Sequence, residues 1–306
     1  MNKRILCMGS LNIDLTMNMS KLPAPGETVM TDNFNTFPGG KGGNQAATIA
    51  SLGGNVSFFT KMGNDSFSSF LLDEQKKRGS DVSAVEIIPG QTAGIAMIRV
   101  DEKGQNSISF TPGANSLMSP EDVERRKDLF ETHDILLTSM EIGKETVYAA
   151  IKMAKSHNMT VVLDPAPAPE GGIPEEILRL CDYAKPNETE AEILTGIRAD
   201  STAGANAALN CLRAKGIAHP VITLGQAGLV SFDDSGNPVL LPALQVSTVD
   251  STAAGDVFIG AFTTALAEGG SLRDCLLFAR AASALSTTKH GAQSSIPTRS
   301  EIQRAL

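Results

Sequence analysis

The stretch Asp250-Ser251-Thr252-Ala253-Ala254-Gly255-Asp256 stands immediately before a strongly helical segment. Its small residues leave backbone N–H groups accessible to an anion, and the following helix adds the positive end of its dipole. A carboxylate beside such an anion hole can accept a proton from an alcohol while the amides stabilise charge on a phosphoryl group. Because acidic residues also cap many helices, the stretch gains weight from a second segment, Gly39-Gly40-Lys41-Gly42-Gly43-Asn44-Gln45.

Around these two segments, strand-like and helix-like sequences alternate along the chain. Strands are predicted at residues 5–8, 56–61, 135–138, 160–163, 221–224, 229–232 and 239–246. Helices are predicted at residues 43–52, 66–78, 145–157, 188–194, 203–215, 256–267 and 272–289, with a further helix start at 119–122. Such alternation indicates an α/β fold with a doubly wound, mostly parallel sheet flanked by helices.

Two segments, at about 14–38 and 92–112, interrupt this alternation. Residues 94–100 and 107–110 are typical of a hairpin with its turn near 102–104. We expect these strands to form a small inserted antiparallel sheet, a lid; an edge extension of the main sheet is the alternative. Since no linker composition divides the chain, residues 1–306 are expected to form a single domain.

Composition excludes several classes of protein. The net charge of −8 disfavours nucleic-acid binding. No apolar run reaches the roughly 18–20 residues that a membrane span needs, and the first residues lack a secretory signal. The four cysteines are widely spaced, which favours reduced thiols in a cytoplasmic protein. The four histidines are equally scattered, so neither a zinc site nor a Ser-His-Asp arrangement is predicted.

Polar residues follow several predicted strands, where open α/β sheets bind ligands. Asn12 and Asp14 lie two apart after the first strand and would share one side of an extended chain. An Asx turn is the alternative for this pair. Glu141 follows the strand at 135–138, and Asn187 and Glu190 share one face of a helix start. Glu190 could orient a metal-bound water or serve only as a helix-start acid.

Neither glycine-rich segment matches a standard phosphate-binding motif. In residues 39–45, Lys41 is followed by Gly42 rather than Ser or Thr, so the segment is not a P-loop. No clear strand leads into it and its glycine spacing does not fit a dinucleotide fingerprint. A tight turn is the simpler reading of the segment alone. Residues 223–228 form a second turn where glycines allow a ligand to approach closely.

The order of these motifs resembles the ribokinase-like carbohydrate kinases over essentially the whole chain. The matching segments are residues 9–14, 39–45, 113–115, 186–190, 223–228, 250–256 and 291–297. The resemblance implies an ATP-dependent sugar kinase that phosphorylates the 5-hydroxyl of D-ribose, with Asp256 as the base. The anion hole would comprise Ala253, Ala254 and Gly255.

The resemblance also implies the remaining ligand sites. The residues for the sugar are Asn12, Ile13, Asp14, Gly40, Lys41, Gly42, Gly43, Asn44 and Glu141. Those for ATP are Asn187, Thr223, Leu224, Gly225, Gln226, Ala227, Gly228, Gly255, Asp256 and Arg280. Glu190 would order Mg²⁺ through water. A monovalent cation, usually K⁺, would lie at Asp250, Thr252, Ser286, Lys289, Gly291 and Ser295.

Several expectations and alternatives complete this interpretation. The helix start beside Asp256 should favour its ionised form. The resemblance implies a homodimer formed through the lid, and it places Phe110 facing the sugar at a position where an aliphatic residue is common. The alternative substrates are a nucleoside or deoxyribose, and Asp14 disfavours deoxyribose because it suits vicinal hydroxyls. A phosphosugar is disfavoured because Lys41 is the only basic residue in the sugar motifs, and a non-catalytic sugar-binding protein would not need Asp256.

Overall fold

The computed structural model describes residues 2–233 and 235–306. Its strands are β1 (Ile5–Met8), β2 (Asn12–Met19), β3 (Thr31–Gly39), β4 (Val56–Phe59), β5 (Lys61–Met62), β6 (Glu86–Ile87), β7 (Gly94–Asp101), β8 (Asn106–Thr111), β9 (Ile135–Ser139), β10 (Thr160–Asp164), β11 (Tyr183–Ala184), β12 (His219–Pro220), β13 (Ile222–Thr223), β14 (Leu229–Phe232) and β15 (Pro238–Leu241). Its helices are α1 (Lys41–Ser51), α2 (Ser66–Arg78), α3 (Pro120–Arg125), α4 (Lys127–Thr132), α5 (Lys144–Ser156), α6 (Glu175–Leu178), α7 (Glu188–Thr195), α8 (Thr202–Ala214), α9 (Ala254–Ala267), α10 (Leu272–Ser286) and α11 (Arg299–Ala305).

The central sheet has six parallel strands in the order β12-β11-β10-β9-β1-β4. The chain moves from β1 outward to β4 and then returns to β9 on the other side of β1. Strand order therefore reverses between β1 and β9, and a crevice at the carboxyl ends of these two strands is the expected ligand site.

Two hydrophobic cores confirm that helices cover both faces of this sheet. Along β1, Leu6 and Met8 join the core that includes α5 and α8. Ile5 and Cys7 join the core that includes α1, α9 and α10. Since successive side chains of a strand point to opposite faces, the sheet is doubly wound, as predicted.

The lid forms a separate four-stranded sheet in the order β3-β2-β7-β8. The predicted hairpin is present as the antiparallel pair β7 and β8. β2 also pairs antiparallel with β3, but β2 and β7, which form the centre of this sheet, run parallel. β2 begins within four residues of the end of β1, so the lid grows directly from the carboxyl edge of the central sheet.

Local signals fixed several element boundaries correctly. Asp65 caps α2 by accepting from the Ser68 N–H, and Gly79 ends that helix in the left-handed conformation. Ser119 precedes α3 at the predicted helix start, and its N–H donates to Asp122 Oδ2 at 2.8 Å. Two predictions differ from the structure. The strand expected at 239–246 ends at Leu241. No strand was expected to lead into the glycine-rich segment at residues 39–45, but β3 leads directly into it.

The described ranges contain no helix with both the length and the hydropathy of a bilayer span.

Candidate active site

The site begins at the carboxyl ends of β1 and β9. The Glu141 side chain, just beyond β9, accepts a 2.8 Å hydrogen bond from the Lys41 backbone N–H and another from the Ser10 hydroxyl. Ser10 follows β1, and its carbonyl accepts from the Gly43 N–H at 2.8 Å. Glu141 and Ser10 therefore fix the start of α1 against the edge of the sheet, and the predicted contact of Glu141 with the sugar stays a prediction.

Glycines allow the start of α1 to approach the end of β1. A Cβ built at Gly42 would lie 2.6 Å from the carbonyl carbon of Gly9, which is a backbone atom that cannot move aside. Gly40 precedes the helix with φ of +82°, a conformation that favours glycine. The turn predicted for residues 39–45 is thus the N-terminus of α1, packed against the sheet edge.

Asn12 and Asp14 lie on β2, so the Asx-turn alternative is wrong. The Asn115 side chain donates to Asn12 Oδ1 at 2.8 Å and accepts from the Leu11 N–H at 3.1 Å, which orients the Asn12 amide. Asp14 pairs in register with Ala96, which pairs with Phe110. Asp14 and Phe110 therefore share one face of the lid.

Asp256 meets the glycine-rich segment directly. Asn44 Nδ2 donates to Asp256 Oδ2 at 2.9 Å, and Gln45 Nε2 donates to Asp256 Oδ1 at 3.2 Å. Asp256 is 5% exposed and lies in the first turn of α9. Among the described residues, the buried Asn44 Oδ1 has no hydrogen-bond partner. The site thus contains the Asp256 carboxylate, fixed by two hydrogen bonds, beside the unpaired amide oxygen of Asn44.

Burial changes the electrostatics expected of Asp256. Burial is the largest influence and raises the pKa of Asp256; Lys41 opposes this, Asp164 adds to it, and Asn44 and Lys185 oppose it, with a raised pKa as the net result. Burial therefore opposes the ionised form that the helix start is expected to favour. Lys41 is the main compensating charge, and its own pKa is raised, because Asp256, Asp164, Glu141 and Glu190 outweigh the effect of its burial.

The N-terminus of α9 has the geometry of an anion site. Ala253 takes φ of +59°, in the left-handed region that is unusual for a residue other than glycine. Gly255 and Asp256 follow in the first turn, where backbone N–H groups have no acceptor within the helix. The Ser283 hydroxyl of α10 donates to the Ala254 carbonyl at 2.9 Å. This hydrogen bond from α10 therefore stabilises the strained turn at Ala253.

The residues expected at the nucleotide form a group at the ends of β11 and β13. Asn187 and Thr223 form an isolated parallel bridge. Gly225, in the turn at 223–228, has φ of +50°. Arg280 of α10 instead donates to the Pro242 carbonyl at 3.0 Å, which fixes the segment after β15. The structure thus groups Asn187 with residues 223–228, whereas the hydrogen bond of Arg280 serves a different segment.

Glu190 has a structural role in this form of the protein. It accepts the Asn187 N–H at 2.8 Å while Asn187 Oδ1 accepts the Glu190 N–H at 2.8 Å, a reciprocal capping box for α7. Burial, followed by Asp164, raises the pKa of Glu190. Glu190 therefore acts as a helix-start acid in this structure. The other oxygen of its carboxylate, with Asp164 nearby, is a hard ligand of the kind that suits a hydrated Mg²⁺.

The six residues expected at the monovalent cation are partly brought together by Asp250. Its carboxylate accepts the Thr252 N–H at 2.9 Å, the Thr252 hydroxyl at 2.6 Å and the Gly291 N–H at 2.8 Å. Burial would raise the pKa of Asp250, but these hydrogen bonds lower it overall. Ser286 ends α10, and its carbonyl accepts the Lys289 N–H at 3.2 Å. The loop at residues 250–252 and the loop at residues 286–291 therefore lie side by side. Their oxygen atoms are the type of ligand that K⁺ binds.

Sequence reasoning missed two buried charges of the site. Asp164 ends β10 and is 0% exposed, and Lys185 follows β11 and is 4% exposed. Lys185 Nζ lies 3.2 Å from Asp164 Oδ1 and 3.4 Å from the Gly255 carbonyl. Their positions at the carboxyl ends of strands were the available signal. Gln45 and Asn115 were part of recognised motifs but were not assigned roles.

A buried carboxylate at a helix start, beside the carboxyl edge of a doubly wound sheet, fits the class of small-molecule kinases. The description "pfkB family carbohydrate kinase" belongs to the family whose model matches residues 2–299. The chain is a member of this family and a sugar kinase.

Individual relatives cover nearly the whole chain. A ribokinase of Haemophilus influenzae is 38% identical over 306 residues, covering 100% of this chain and 99% of that protein. A deoxyribokinase of Salmonella typhi is 34% identical over 302 residues, covering 99% of this chain and 98% of that protein.

Two solved structures are similar over the same length. The structure of an Arabidopsis thaliana ribokinase complexed with ribose and ATP has a TM-score of 0.91 and 29% identity, covering 100% of this chain and 99% of that one. A ribokinase of Thermotoga maritima has a TM-score of 0.88 and 38% identity, covering 99% of each chain.

Proposed function

We propose that this kinase transfers the γ-phosphoryl group of ATP to the 5-hydroxyl of D-ribose. The hydrogen bond between Asn44 and Asp256 carries the proposal, because it places a proton acceptor against the segment that would hold the sugar. The ribokinases among its relatives support ribose as the sugar.

Each ligand has a defined group of residues in this proposal. Asn12, Asp14 and Asn44 would bind the sugar hydroxyls, and Glu141 would keep residues 40–43 in place. Asp256 would accept the proton of the attacking hydroxyl. The first-turn amides of α9 and the Lys41 ammonium would stabilise charge on the transferred phosphoryl group. Residues 223–228 and Asn187 would contact ATP.

Two metal ions belong to the same proposal. Mg²⁺ would neutralise phosphate charge, with Glu190 holding it through water. K⁺ would bind the oxygens around Asp250 and Gly291 and so stabilise the loop before α9. The carboxylate and carbonyl donors suit these hard cations.

We also propose that the protein acts as one unit of 1–306, as a cytoplasmic homodimer formed through the lid. Large apolar side chains of the lid are exposed, namely Met30, Phe34, Met97, Ile108 and Phe110. Ile108 and Phe110 lie on one face of the lid and Phe34 and Met97 on the other, and exposed apolar side chains grouped in this way are typical of protein contacts. Four free cysteines suit a reducing compartment. Sedimentation of the wild type and of Ile108→Asp tests the dimer, which the charged variant should weaken; a wild-type monomer at micromolar concentration would rule it out.

The activity is tested by ADP release with MgATP and a panel of acceptors. Ribose should give the highest kcat/KM among ribose, deoxyribose, fructose, a nucleoside and a phosphosugar. Deoxyribose is the alternative acceptor, since a deoxyribokinase is among the relatives. A higher kcat/KM for deoxyribose than for ribose would replace the proposed substrate. Binding of sugar without any ADP release would favour a non-catalytic protein.

A further inference from the structure

Two buried carboxylates share a single amide nitrogen in this site. Gln45 Nε2 donates to Asp164 Oδ2 at 2.9 Å and to Asp256 Oδ1 at 3.2 Å. An amide nitrogen carries two N–H hydrogens, so both are used when both carboxyl groups accept. Like charges so close disfavour each other's ionised form. A kinase that needs Asp256 as a proton acceptor therefore needs something to offset Asp164.

Lys185 is placed to provide that offset. Its Nζ lies 3.2 Å from Asp164 Oδ1, and the two side chains are 5% and 1% exposed. The same ammonium lies 3.4 Å from the Gly255 carbonyl, and a Cβ at Gly255 would come within 3.1 Å of it. Lys185 thus contacts both the second carboxylate and the residue immediately before Asp256.

We propose that Lys185 and Asp164 form a charge-balancing pair which, through Gln45, positions Asp256 as an ionised proton acceptor. Lys185 acts through its neighbours and is a positioning residue. The inference rests on the proposed function, because it assigns Asp256 the role of the base. It adds two residues and a direction of pH dependence to that role.

The other groups facing Asp256 account for only part of this balance. They are Lys41 at the start of α1, Asp14 on β2, Cys7 on β1, and the amides of Asn44 and Gln45. Burial raises the pKa of the Cys7 thiol, so Cys7 is neutral. Lys41 also faces Glu141 and Glu190, so its charge is divided among several acids. Lys185 is the cation in direct contact with Asp164.

The test is the pH profile of kcat/KM for ribose at saturating MgATP. Lys185→Met should move the acidic limb to higher pH by about one unit, the usual effect of a charge within a few ångströms. Asp164→Asn keeps an acceptor for Gln45 and removes the negative charge, so its acidic limb should move to lower pH. The double variant Asp164→Asn/Lys185→Met removes both charges and should return the limb to within about 0.3 units of the wild type.

The chain offers a matched control at the other end of the same strand. Lys155 Nζ lies 2.9 Å from Oδ2 of Asp182. Asp182 is the residue immediately before β11, whereas Lys185 immediately follows β11. Lys155→Met also breaks a lysine–aspartate pair but should leave the acidic limb in place. Thermal unfolding of each variant separates loss of folded protein from the change in profile.

The outcomes distinguish this inference from the function on which it rests. Shifts of opposite sign in the two single variants, cancelling in the double variant, would establish the pair. If Lys185→Met does not fold, the inference is decided by two other results. These are the direction in which the acidic limb moves in Asp164→Asn and its return towards the wild-type position in the double variant. An active wild type whose variants lose rate equally at every pH would overturn only this inference. A wild type without kinase activity on any acceptor would overturn the proposed function as well.

Discussion

Asn44 Nδ2 donates a 2.9 Å hydrogen bond to Asp256 Oδ2 across 212 residues of chain. This contact joins the first turn of α1 to the first turn of α9, the two helix starts that face the crevice. Both residues are more than nine-tenths buried. The distance between the glycine-rich segment at residues 39–45 and Asp256 is therefore fixed by the packing of two helices and not by a mobile loop.

Asp256→Asn should lower kcat by roughly 10²–10⁴-fold, the usual contribution of a general base. Sugar and MgATP binding should change little, since asparagine nearly conserves the volume. The rate is measured by ADP release and binding by calorimetry. Asp73→Asn, an exposed aspartate on α2, serves as the control and should match the wild type. Retention of more than about a tenth of wild-type kcat would remove Asp256 from the role of base.

Asp14 predicts a pH dependence of sugar binding. Burial, followed by Glu141 and Asp256, raises the pKa of Asp14 to about 7. The raised pKa means that Asp14 gains its proton as pH falls through 7, and a protonated carboxyl group accepts fewer hydroxyl hydrogen bonds. KM for ribose should therefore rise below pH 7, by up to about tenfold per pH unit.

Asp14→Asn separates this effect from that of Asp256. The variant should have a raised KM for ribose that no longer depends on pH between 5.5 and 7, while KM for ATP stays near the wild-type value. A change confined to the KM for ATP would mean that the sugar site and the ATP site have been assigned the wrong way round.

Much of this architecture was predictable, because its signals are local. Capping residues such as Asp65 and Ser119 fixed helix starts, and alternation of strands and helices predicted the doubly wound sheet. The lid hairpin was also predictable from its pattern. The parallel pairing of β2 with β7 was not, since it joins segments about 80 residues apart and no turn encodes it.

The charges of the site divide in the same way. Asp256 stands in a recognisable glycine-containing stretch, so the sequence singles it out as a candidate residue of the site. Asp164 ends one ordinary strand and Lys185 follows another, and only the parallel pairing of β10 with β11 brings them together. Their effect on Asp256, like the burial that raises its pKa, depends on three-dimensional packing that no local pattern records.

Gly42→Ala tests the close packing of α1 against β1. The added Cβ would lie 2.6 Å from the Gly9 carbonyl carbon and 2.8 Å from the Ser10 nitrogen, so backbone must move. We expect a loss of about 1–3 kcal/mol in the free energy of unfolding, together with a higher KM for ribose. Urea unfolding and initial rates measure the two effects.

Gly143→Ala is the matched control for that substitution. Gly143 also lies at the start of a helix, as the cap of α5, but its added Cβ would meet its nearest neighbour, Thr146 Oγ1, at 3.6 Å. Its unfolding free energy should stay within about 0.5 kcal/mol of the wild type. Equal losses in the two variants would show that the approach of α1 to β1 is not the sensitive feature.

The loops joined by Asp250 predict a dependence on the monovalent cation. Replacing K⁺ by Na⁺ should lower kcat, because a smaller ion would draw the carbonyls of both loops into a different arrangement and disturb the turn at Ala253. Asp250→Asn replaces one acceptor oxygen by an amide that cannot accept the hydrogen bonds from Thr252 or Gly291. The variant should need a higher K⁺ concentration for half-maximal activity. Asp101→Asn is the control, since Asp101 also accepts two loop N–H groups, from Lys103 and Gln105, but lies in the lid hairpin. Rates that are equal in potassium-free sodium buffer and in potassium buffer would argue against a cation at these loops.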